Sequence, residues 1–412
     1  MNNNNKANNN NVRAFSEYLE RTTKEDDMIP LEDVLEAYYE CRRNKRRTIN
    51  ALQFEVNYED NCVRLWRDIN NRTYTIGKSI AFIVTRPKPR EVFAADFRDR
   101  VVHHLVAKRL EALFEGLFIE DTYNCRKGKG TLYGVHRLEE VIRKVSDNYA
   151  IDCYVGKFDI QGFFMSIHKP TLNSMLQKFI DEQYANNDKD ILKWIVHKIV
   201  MHSPEKNCVR KSPLSMWNLI DDNKSLFKNG EDYGLAIGNL TSQMFANFYL
   251  NEFDTYMTSM YDGYGRYVDD FFVVDRNKTK ILNGISKSAT FLKEHLGIKL
   301  HPKKMYLQHY TKGVKFTGAV IKPHRSYIGN RTVANFYGKI HYFNHIAEDN
   351  MDILPYVETF VNSINSYLGF LKHHKSWNIR RRTLRQVSPK WRKFVMVTPD
   401  KVAKMKNTSK QK

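Results

Sequence analysis

The sequence lacks close pairs of cysteines. Its 412 residues contain five cysteines, which are scattered along the chain without any Cys-x-x-Cys pair. This spacing argues against a structural zinc site and against a disulfide framework, and it fits a protein of a reducing compartment.

Long hydrophobic runs are also missing. No stretch approaches the roughly 18 to 20 apolar residues that a membrane-spanning helix requires, so we expect no membrane association and a cytoplasmic location. The N-terminal run MNNNNKANNNN is rich in Asn and has no apolar signal core. It predicts a disordered lead-in over residues 1–25.

Acidic residues are few in comparison with basic ones. The chain has 46 Asp and Glu against 66 Lys and Arg, a formal net charge of +20. Much of the excess lies between Leu371 and Lys412, where 14 basic residues accompany a single acid, Asp400. Such a balance indicates nucleic acid as a partner, although the last dozen residues could equally be a solubilising tail.

Patterns of apolar residues and prolines predict the first elements. Apolar residues at helical spacing indicate helices over residues 30–75. The two prolines of VTRPKPREVF (84–93) indicate an extended, exposed hairpin. One apolar face runs through FRDRVVHHLVAKRLEALF (97–114), which predicts a helix.

The rest of the chain mixes strands and helices. The predicted elements are a strand over 150–158 that ends at Asp159, helices with a polar irregular stretch over 170–230, a long helix from Gly238 to about Met260, a strand–turn–strand over 265–275, a helix near 278–296, a hairpin over 304–322 and a helical C-terminal region. This order predicts an α+β core with an added helical domain.

Three aspartates stand beside hydrophobic strands. Asp159 ends the strand YVGKFD, and Asp269 and Asp270 lie in the turn of the hairpin GRYVDDFFVVD. A single aspartate in such a place is usually a turn residue or a helix cap. Carboxylates that converge from separate strands are what two-metal phosphoryl transfer requires, and Mg²⁺ prefers such oxygen ligands.

These motifs together resemble those of reverse transcriptases. FDIQGFFMSI resembles the motif of the first catalytic aspartate, and YVDD resembles the polymerase signature. The resemblance covers roughly residues 80 to 320 and includes PKPREVFAADFRDRVVHHLV, EDTYNCRKGKGT, GLAIGNLTSQMFAN, LHPKKMYLQ and VKFTG. It implies a right-hand architecture with fingers, a palm built on an antiparallel sheet backed by helices, and a helical thumb.

We therefore divide the chain along these lines. The predicted parts are the lead-in (1–25), fingers (26–155), palm (156–325, with a helical insertion at 170–230), thumb (326–393) and a basic tail (394–412).

The resemblance also implies a catalytic set. Two Mg²⁺ ions, with Mn²⁺ as an alternative, would be held by Asp159 and Asp269, by the carbonyl of Ile160, and less directly by Asp270. Lys304 matches a general acid for the departing pyrophosphate, with adjacent Lys303 as the alternative.

Further residues are assigned to the incoming nucleotide. Phe164 stands where reverse transcriptases carry a bulky aromatic residue. The resemblance implies that its ring excludes a ribose 2′-hydroxyl, which favours deoxynucleotides. The alternative is that Phe163 and Phe164 are only core residues. One of them must be buried, since neighbours on a strand face opposite ways. Lys88 and Arg90 of the predicted hairpin are assigned to the triphosphate, or else they form an exposed basic loop.

Template and primer contacts are assigned to a second group. The stretch Arg126, Lys127, Gly128, Lys129 and Gly130 is basic and flexible, which suits a template backbone, although charge runs in loops are often only solvated. Tyr267 is assigned to the primer end, with core packing as the alternative.

The stretch GLAIGNLTSQ points to a subfamily. Ile237-Gly238 and Ser242-Gln243 resemble the pattern of diversity-generating retroelements, whose bacterial or phage-encoded enzymes copy an RNA template with errors at adenines and work with a small, basic, ring-forming accessory protein. The Ile237 side chain cannot form a hydrogen bond near the nascent base pair, and the absence of one positioned hydrogen bond costs ~0.5–1.5 kcal/mol of discrimination between correct and incorrect pairs. The alternative is that Ile237 only packs the palm. The alternatives are another bacterial reverse transcriptase, such as a retron-like or phage-defence enzyme, and a non-catalytic RNA-binding module.

Overall fold

The computed structural model describes residues 27–43, 48–85 and 88–405. The predicted Asn-rich lead-in lies outside the described residues. Within those described ranges, no helix is both long enough and apolar enough to span a membrane.

Helices make up much of the described chain. They are α1 (Leu31–Arg42), α2 (Ile49–Val56), α3 (Tyr58–Asn70), α4 (Phe97–Leu117), α5 (Thr131–Val145), α6 (Phe163–Ser166), α7 (Lys169–Gln183), α8 (Lys189–Met201), α9 (Leu240–Tyr249), α10 (Asn251–Met260), α11 (Lys278–Leu296), α12 (Asn330–Asp349), α13 (Val357–Leu371), α14 (Trp377–Arg385) and α15 (Pro389–Arg392).

Short strands alternate with these helices. They are β1 (Ser79–Val84), β2 (Arg90–Ala94), β3 (Tyr154–Asp159), β4 (Cys208–Arg210), β5 (Gly263–Tyr267), β6 (Asp270–Asp275), β7 (Tyr306–His309), β8 (Val314–Phe316), β9 (Ala319–Lys322), β10 (Arg325–Ile328), β11 (Val395–Val397) and β12 (Val402–Lys404). The predicted α+β class is confirmed.

The chain divides into two compact units, neither of them continuous in sequence. Unit 1 comprises the described parts of Met1–Ile119, Ile160–Thr255 and Lys287–Leu300. Unit 2 comprises Glu120–Asp159, Tyr256–Ser286 and the described part of His301–Lys412. The sequential division into fingers, palm and thumb stays a prediction.

Unit 1 combines helices with a three-stranded sheet. The helix predicted over 97–114 is α4, and the Asp96 side chain caps it by accepting a hydrogen bond from the backbone N–H of Arg98 at 3.0 Å. The predicted hairpin is β1–β2, an antiparallel pair that β4 joins in parallel on the free edge of β1. Pro89 has no backbone N–H to donate, and β2 begins directly after it at Arg90.

Unit 2 is built on a four-stranded antiparallel sheet with the strand order β5-β6-β3-β7. Its inner face packs on α5 through a cluster that includes Val155, Phe272 and Val274. A separate sheet has the order β10-β9-β8. The buried strands explain why YVGKFD and DFFVVD are so apolar, since both faces are covered.

The C-terminal part of unit 2 has its own core. Helices α12, α13 and α14 enclose a cluster in which the Phe360 and Trp391 rings stack 4.5 Å apart. Val395 and Val402 of the β11–β12 hairpin belong to the same cluster. The first part of the predicted basic tail therefore packs on this helical core through the β11–β12 hairpin, and the end of the tail, from residue 406, lies outside the described residues.

Three local predictions are wrong. The segment 304–322 is not one hairpin, because β7 pairs with β3 while β8 pairs with β9. The long helix predicted to reach Met260 is two helices that break at Leu250. Phe163 and Phe164 lie in α6 and not on a strand.

Candidate active site

The three aspartates lie at one end of the unit 2 sheet. Strands β3 and β6 pair so that Asp159 stands opposite Asp270. Tyr267 of β5 also pairs with Asp270, so Val268 and Asp269 form a two-residue hairpin turn. The sheet therefore carries the predicted acids on neighbouring strands and on the turn beside them.

The turn itself is strained. Val268 has φ +59°, a left-handed conformation that β-branched residues rarely adopt. The fully buried Arg266 side chain donates from Nη1 to the Val268 carbonyl oxygen at 2.9 Å. Such strain persists only where the surroundings enforce it, and Arg266 supplies one of the contacts that hold the turn.

Two lysines neutralise two of the acids. Lys304 Nζ lies 2.6 Å from Asp159 Oδ2, and Lys157 Nζ lies 3.0 Å from Asp270 Oδ2. Lys303 and Lys304 are both exposed, and the contact with Asp159 favours Lys304 as the lysine beside the catalytic set. Its role as a general acid stays a prediction.

Asp269 carries the least compensated charge of the three. Burial raises its pKa to about 6, and the negative charges of Asp159 and Asp270 act in the same direction as burial, while Lys304 opposes them. A carboxylate in such surroundings favours a nearby cation. This electrostatic demand agrees with the prediction that Asp269 binds a metal.

The donor set suits a hard divalent cation. All three side chains offer carboxylate oxygens, the ligands that Mg²⁺ prefers. They are not gathered as a finished cage, because the described ranges contain no group of three or more His, Cys, Asp or Glu side chains placed to hold one ion. In this arrangement the lysines bind two of the acids. Ile160, the predicted carbonyl ligand, belongs to unit 1 and forms a bridge with Leu300.

Unit 1 contains the residues assigned to the nucleotide. Phe163 is buried and Phe164 is half-buried, with ring centroids 5.6 Å apart. Gly162 has φ +56° and turns the chain into α6. One residue of the pair, Phe163, is therefore a core residue as expected, but the two residues lie on a helix and not on a strand.

The loop before α9 is tied to β2. The backbone N–H of Phe93 donates to the carbonyl oxygen of Ile237 at 2.8 Å. Gly238 has φ +127°, and a Cβ on it would lie 2.5 Å from the Phe93 carbonyl oxygen. Glycine is thus required at position 238, whereas Ile237 and Gln243 are half-buried.

The basic residues of the predicted hairpin are exposed. Arg90 begins β2 and pairs with Val84, and Lys88 lies in the connection. Both side chains are accessible to a ligand, as the triphosphate assignment requires.

The basic stretch assigned to the template is only partly exposed. Arg126 is 8% exposed and donates from Nη1 to the Thr122 carbonyl oxygen at 3.0 Å. Lys127 and Gly128 are exposed, and Gly128 has φ +74°. Arg126 therefore shapes this loop, which leaves Lys127 and Gly128 better placed for a template. Tyr267 is half-buried on β5 and packs partly against the α5 core.

Two residues of the site were missed in the sequence. Lys157 lies two residues before Asp159, and strand periodicity places both side chains on one face. That spacing was a usable signal. Arg266 gave no comparable signal, because its burial depends on segment 121–123, which hydrogen-bonds to β5.

The sequence family described as reverse transcriptase (RNA-dependent DNA polymerase) matches residues 86–321. The chain belongs to this family. The matched region contains the three aspartates, α6 and the loop at Ile237.

Solved structures give a weaker likeness. The fold is similar to an apo telomerase from Candida tropicalis truncated from the C-terminal domain, with 13% identity, 60% of this chain and 55% of that chain covered, and a TM-score of 0.43. It is also similar to a telomerase from Candida albicans in complex with a TWJ fragment of telomeric RNA, with 10% identity, 76% and 59% covered, and a TM-score of 0.43. The chain spans less than two thirds of either telomerase chain. No curated protein matches this reverse transcriptase.

Proposed function

We propose that the chain catalyses RNA-templated DNA synthesis by nucleotidyl transfer. The observation that carries the proposal is the pairing of Asp159 with Asp270 across β3 and β6, with Asp269 in the adjoining turn. A nucleic-acid-binding module has no need of three acids beside a polyanion, since they would repel the phosphates. The family match supports the same reaction.

The acids of unit 2 take the catalytic role. Bound Mg²⁺ would lower the pKa of a primer 3′-hydroxyl and stabilise the leaving pyrophosphate. Asp269 and Asp159 are the principal oxygen ligands in this assignment, and Asp270 contributes charge while Lys157 holds its side chain. Lys304 holds a proton at Nζ that can pass to the leaving pyrophosphate.

The residues of unit 1 take the binding role. Arg90 and Lys88 bind triphosphate oxygens, for which a guanidinium can offer two parallel hydrogen bonds. The Phe164 ring packs against the sugar and excludes a 2′-hydroxyl, so deoxynucleotides are the substrate. In the right-hand description, the β5-β6-β3-β7 sheet is the palm, the β1–β2 hairpin belongs to the fingers, and helices α12 to α14 are the thumb.

We further assign the chain to the diversity-generating subtype, which makes error-prone cDNA with mutations at template adenines. Support comes from Ile237, which lies in the loop before α9, and from Gln243, which lies in the first turn of α9. Ile237 offers no hydrogen bond near the nascent base pair, in keeping with reduced discrimination. This subtype implies a small, basic, ring-forming accessory protein, a template RNA and a cytoplasmic setting in a bacterium or phage. A retron-like or phage-defence enzyme is the second candidate.

Primer extension on an RNA template with Mg²⁺ tests the activity. We expect Asp269→Asn to lower the rate at least about a hundredfold, because the substitution removes a ligand charge and keeps the side-chain shape. Asp262→Asn is the matched control, since Asp262 is an exposed acid just before β5. Extension by Asp269→Asn at the control rate would reject the catalytic assignment.

Sequencing of the extension products tests the subtype. We expect wild-type errors to concentrate opposite template adenines. An even error spectrum would reject the diversity-generating assignment and leave the polymerase assignment standing.

A further inference from the structure

A buried carboxylate of unit 1 has no part in the proposed chemistry. Glu91 of β2 is 2% exposed. It accepts hydrogen bonds from Trp217 Nε1 at 3.0 Å, from Ser225 Oγ at 2.7 Å and from the backbone N–H of Leu226 at 2.7 Å. A carboxylate so deeply buried is tolerated only where donors satisfy it, so these contacts fix Glu91 and its donors tightly.

The three donors belong to one segment, residues 207–229. This segment runs along β1, where β4 pairs in parallel. The backbone N–H of Lys211 donates to the Ala81 carbonyl oxygen at 2.9 Å, and the N–H of Ile83 donates to Ser212 Oγ at 2.9 Å. The 207–229 segment thus widens the β1–β2 sheet and then closes over Glu91.

The same segment packs against the residues assigned to the nucleotide. Trp217 and Leu226 share a hydrophobic cluster with Phe93, and Phe164 and Ile237 pack against that cluster. The Arg210 guanidinium covers this aromatic group, 5.2 Å from the Trp217 ring centroid and 3.7 Å from the Phe227 ring centroid.

Hydrogen bonds reinforce the same connection. The side-chain amide of Asn229 donates to the Met165 carbonyl oxygen at 2.7 Å, next to Phe164 in the chain. Phe93 N–H donates to the Ile237 carbonyl oxygen at 2.8 Å. The 207–229 segment and strand β2, which carries Glu91, therefore contact Phe164, Ile237 and their chain neighbours and fix their positions.

We infer that the 207–229 segment is a specificity-determining element of the nucleotide site, in which Glu91 and Trp217 are positioning residues for Phe164 and Ile237. The inference rests on the proposed function. Neither positioning residue is assigned to the nucleotide itself. They act by fixing the positions of Phe164 and Ile237, the residues assigned to contact the sugar and the nascent base pair. A small displacement of Glu91 or Trp217 would shift these two side chains, because close-packed side chains transmit strain.

Trp217→Phe is the most direct test. The substitution keeps an aromatic ring in the cluster and removes the N–H that donates to Glu91. Trp194→Phe is the matched control, because Trp194 lies half-buried on α8 beside Lys198, whose Nζ is 5.0 Å from the ring centroid. Glu91→Gln is a second variant that keeps the side-chain shape and carries the same comparison if Trp217→Phe fails to fold.

Single-nucleotide incorporation on an RNA template supplies the readout, with the active fraction of each protein measured by burst amplitude. We expect Trp217→Phe and Glu91→Gln to raise the KM for the correct dNTP and to change the ratio of correct to incorrect insertion, each by about three- to tenfold, as expected for loss of one positioned hydrogen bond. The kcat per active molecule should stay within about twofold. Trp194→Phe should behave as wild type.

A purely structural role predicts another result. It would lower the active fraction and the melting temperature and leave KM and the insertion ratio of the active molecules unchanged, which would overturn the inference. The inference is also overturned if both variants match Trp194→Phe in every measurement. Absence of extension by the wild-type protein would instead reject the proposed function, so the two failures are distinguishable.

Discussion

Replacement of Gly238 by alanine tests how closely the loop before α9 approaches β2. The added Cβ would lie 2.5 Å from the Phe93 carbonyl oxygen and 2.9 Å from Val92 Cγ1. The first of these atoms is backbone and can move only with the strand. In addition, φ at position 238 is +127°, a backbone conformation that residues other than glycine rarely adopt.

Both effects can be given a size. An unfavourable φ costs about 1–3 kcal/mol, and overpacking against a fixed neighbour costs about 1–3 kcal/mol, so Gly238→Ala should destabilise unit 1 by roughly 2–6 kcal/mol. The strand can relieve the contact only by lengthening the hydrogen bond between Phe93 and Ile237. We therefore also expect a higher KM for dNTP in whatever protein folds.

Urea denaturation followed by circular dichroism measures the first effect. Gly116→Ala is the matched control, because a Cβ at this position in α4 meets nothing within 4 Å. There the substitution should be neutral or stabilise the helix by up to about 1 kcal/mol. Equal urea midpoints for Gly238→Ala and Gly116→Ala would refute the close approach of the loop to β2.

Two further predictions concern charge. Lys157→Met should lower the Mg²⁺ concentration at half-maximal extension, because the ammonium group no longer competes for Asp270; an unchanged Mg²⁺ titration would contradict this. Burial lowers the pKa of His103 to about 3 and that of His202 to about 4. Both are neutral in the folded protein and titrate near 6.5 when unfolded, so their contribution to stability is complete above pH ~6.5 and is lost as the pH falls toward 4 and 3. The urea midpoint should fall between pH 8 and pH 5, and less so in His103→Gln; pH-independent midpoints would refute the burial of neutral imidazoles.

Local patterns in the sequence were sufficient for several elements and for the places of the acids. The prolines of segment 84–93 predicted the β1–β2 hairpin, and the apolar face of segment 97–114 predicted α4. The chain segments around Asp159 and Asp269 were placed correctly at a strand end and in a turn. In each case the signal lies within a few residues of the feature that it predicts.

Features set by distant pairing were not predictable in the same way. Strand β7 could have paired with β8, its neighbour in sequence, yet it pairs with β3 at the sheet edge. Glu91 reads as one more charge of an exposed hairpin, and only the fold brings Trp217 and Leu226 to it. The α6 helix at Phe163 follows from the left-handed turn at Gly162, which a hydrophobic pattern of four residues does not reveal.

The interleaving of the two units has a consequence for biosynthesis. Strand β3 is synthesised before both of the strands that pair with it. Asp270, the partner of Asp159 on β6, follows more than 100 residues later, and β7 follows later still. At about 5–20 residues per second, synthesis of this stretch takes roughly 6 to 22 seconds. During that interval an apolar strand has both edges unpaired, which is a hazard for aggregation. A chaperone that covers nascent β3 until β6 and β7 have been synthesised should therefore raise the yield of folded protein.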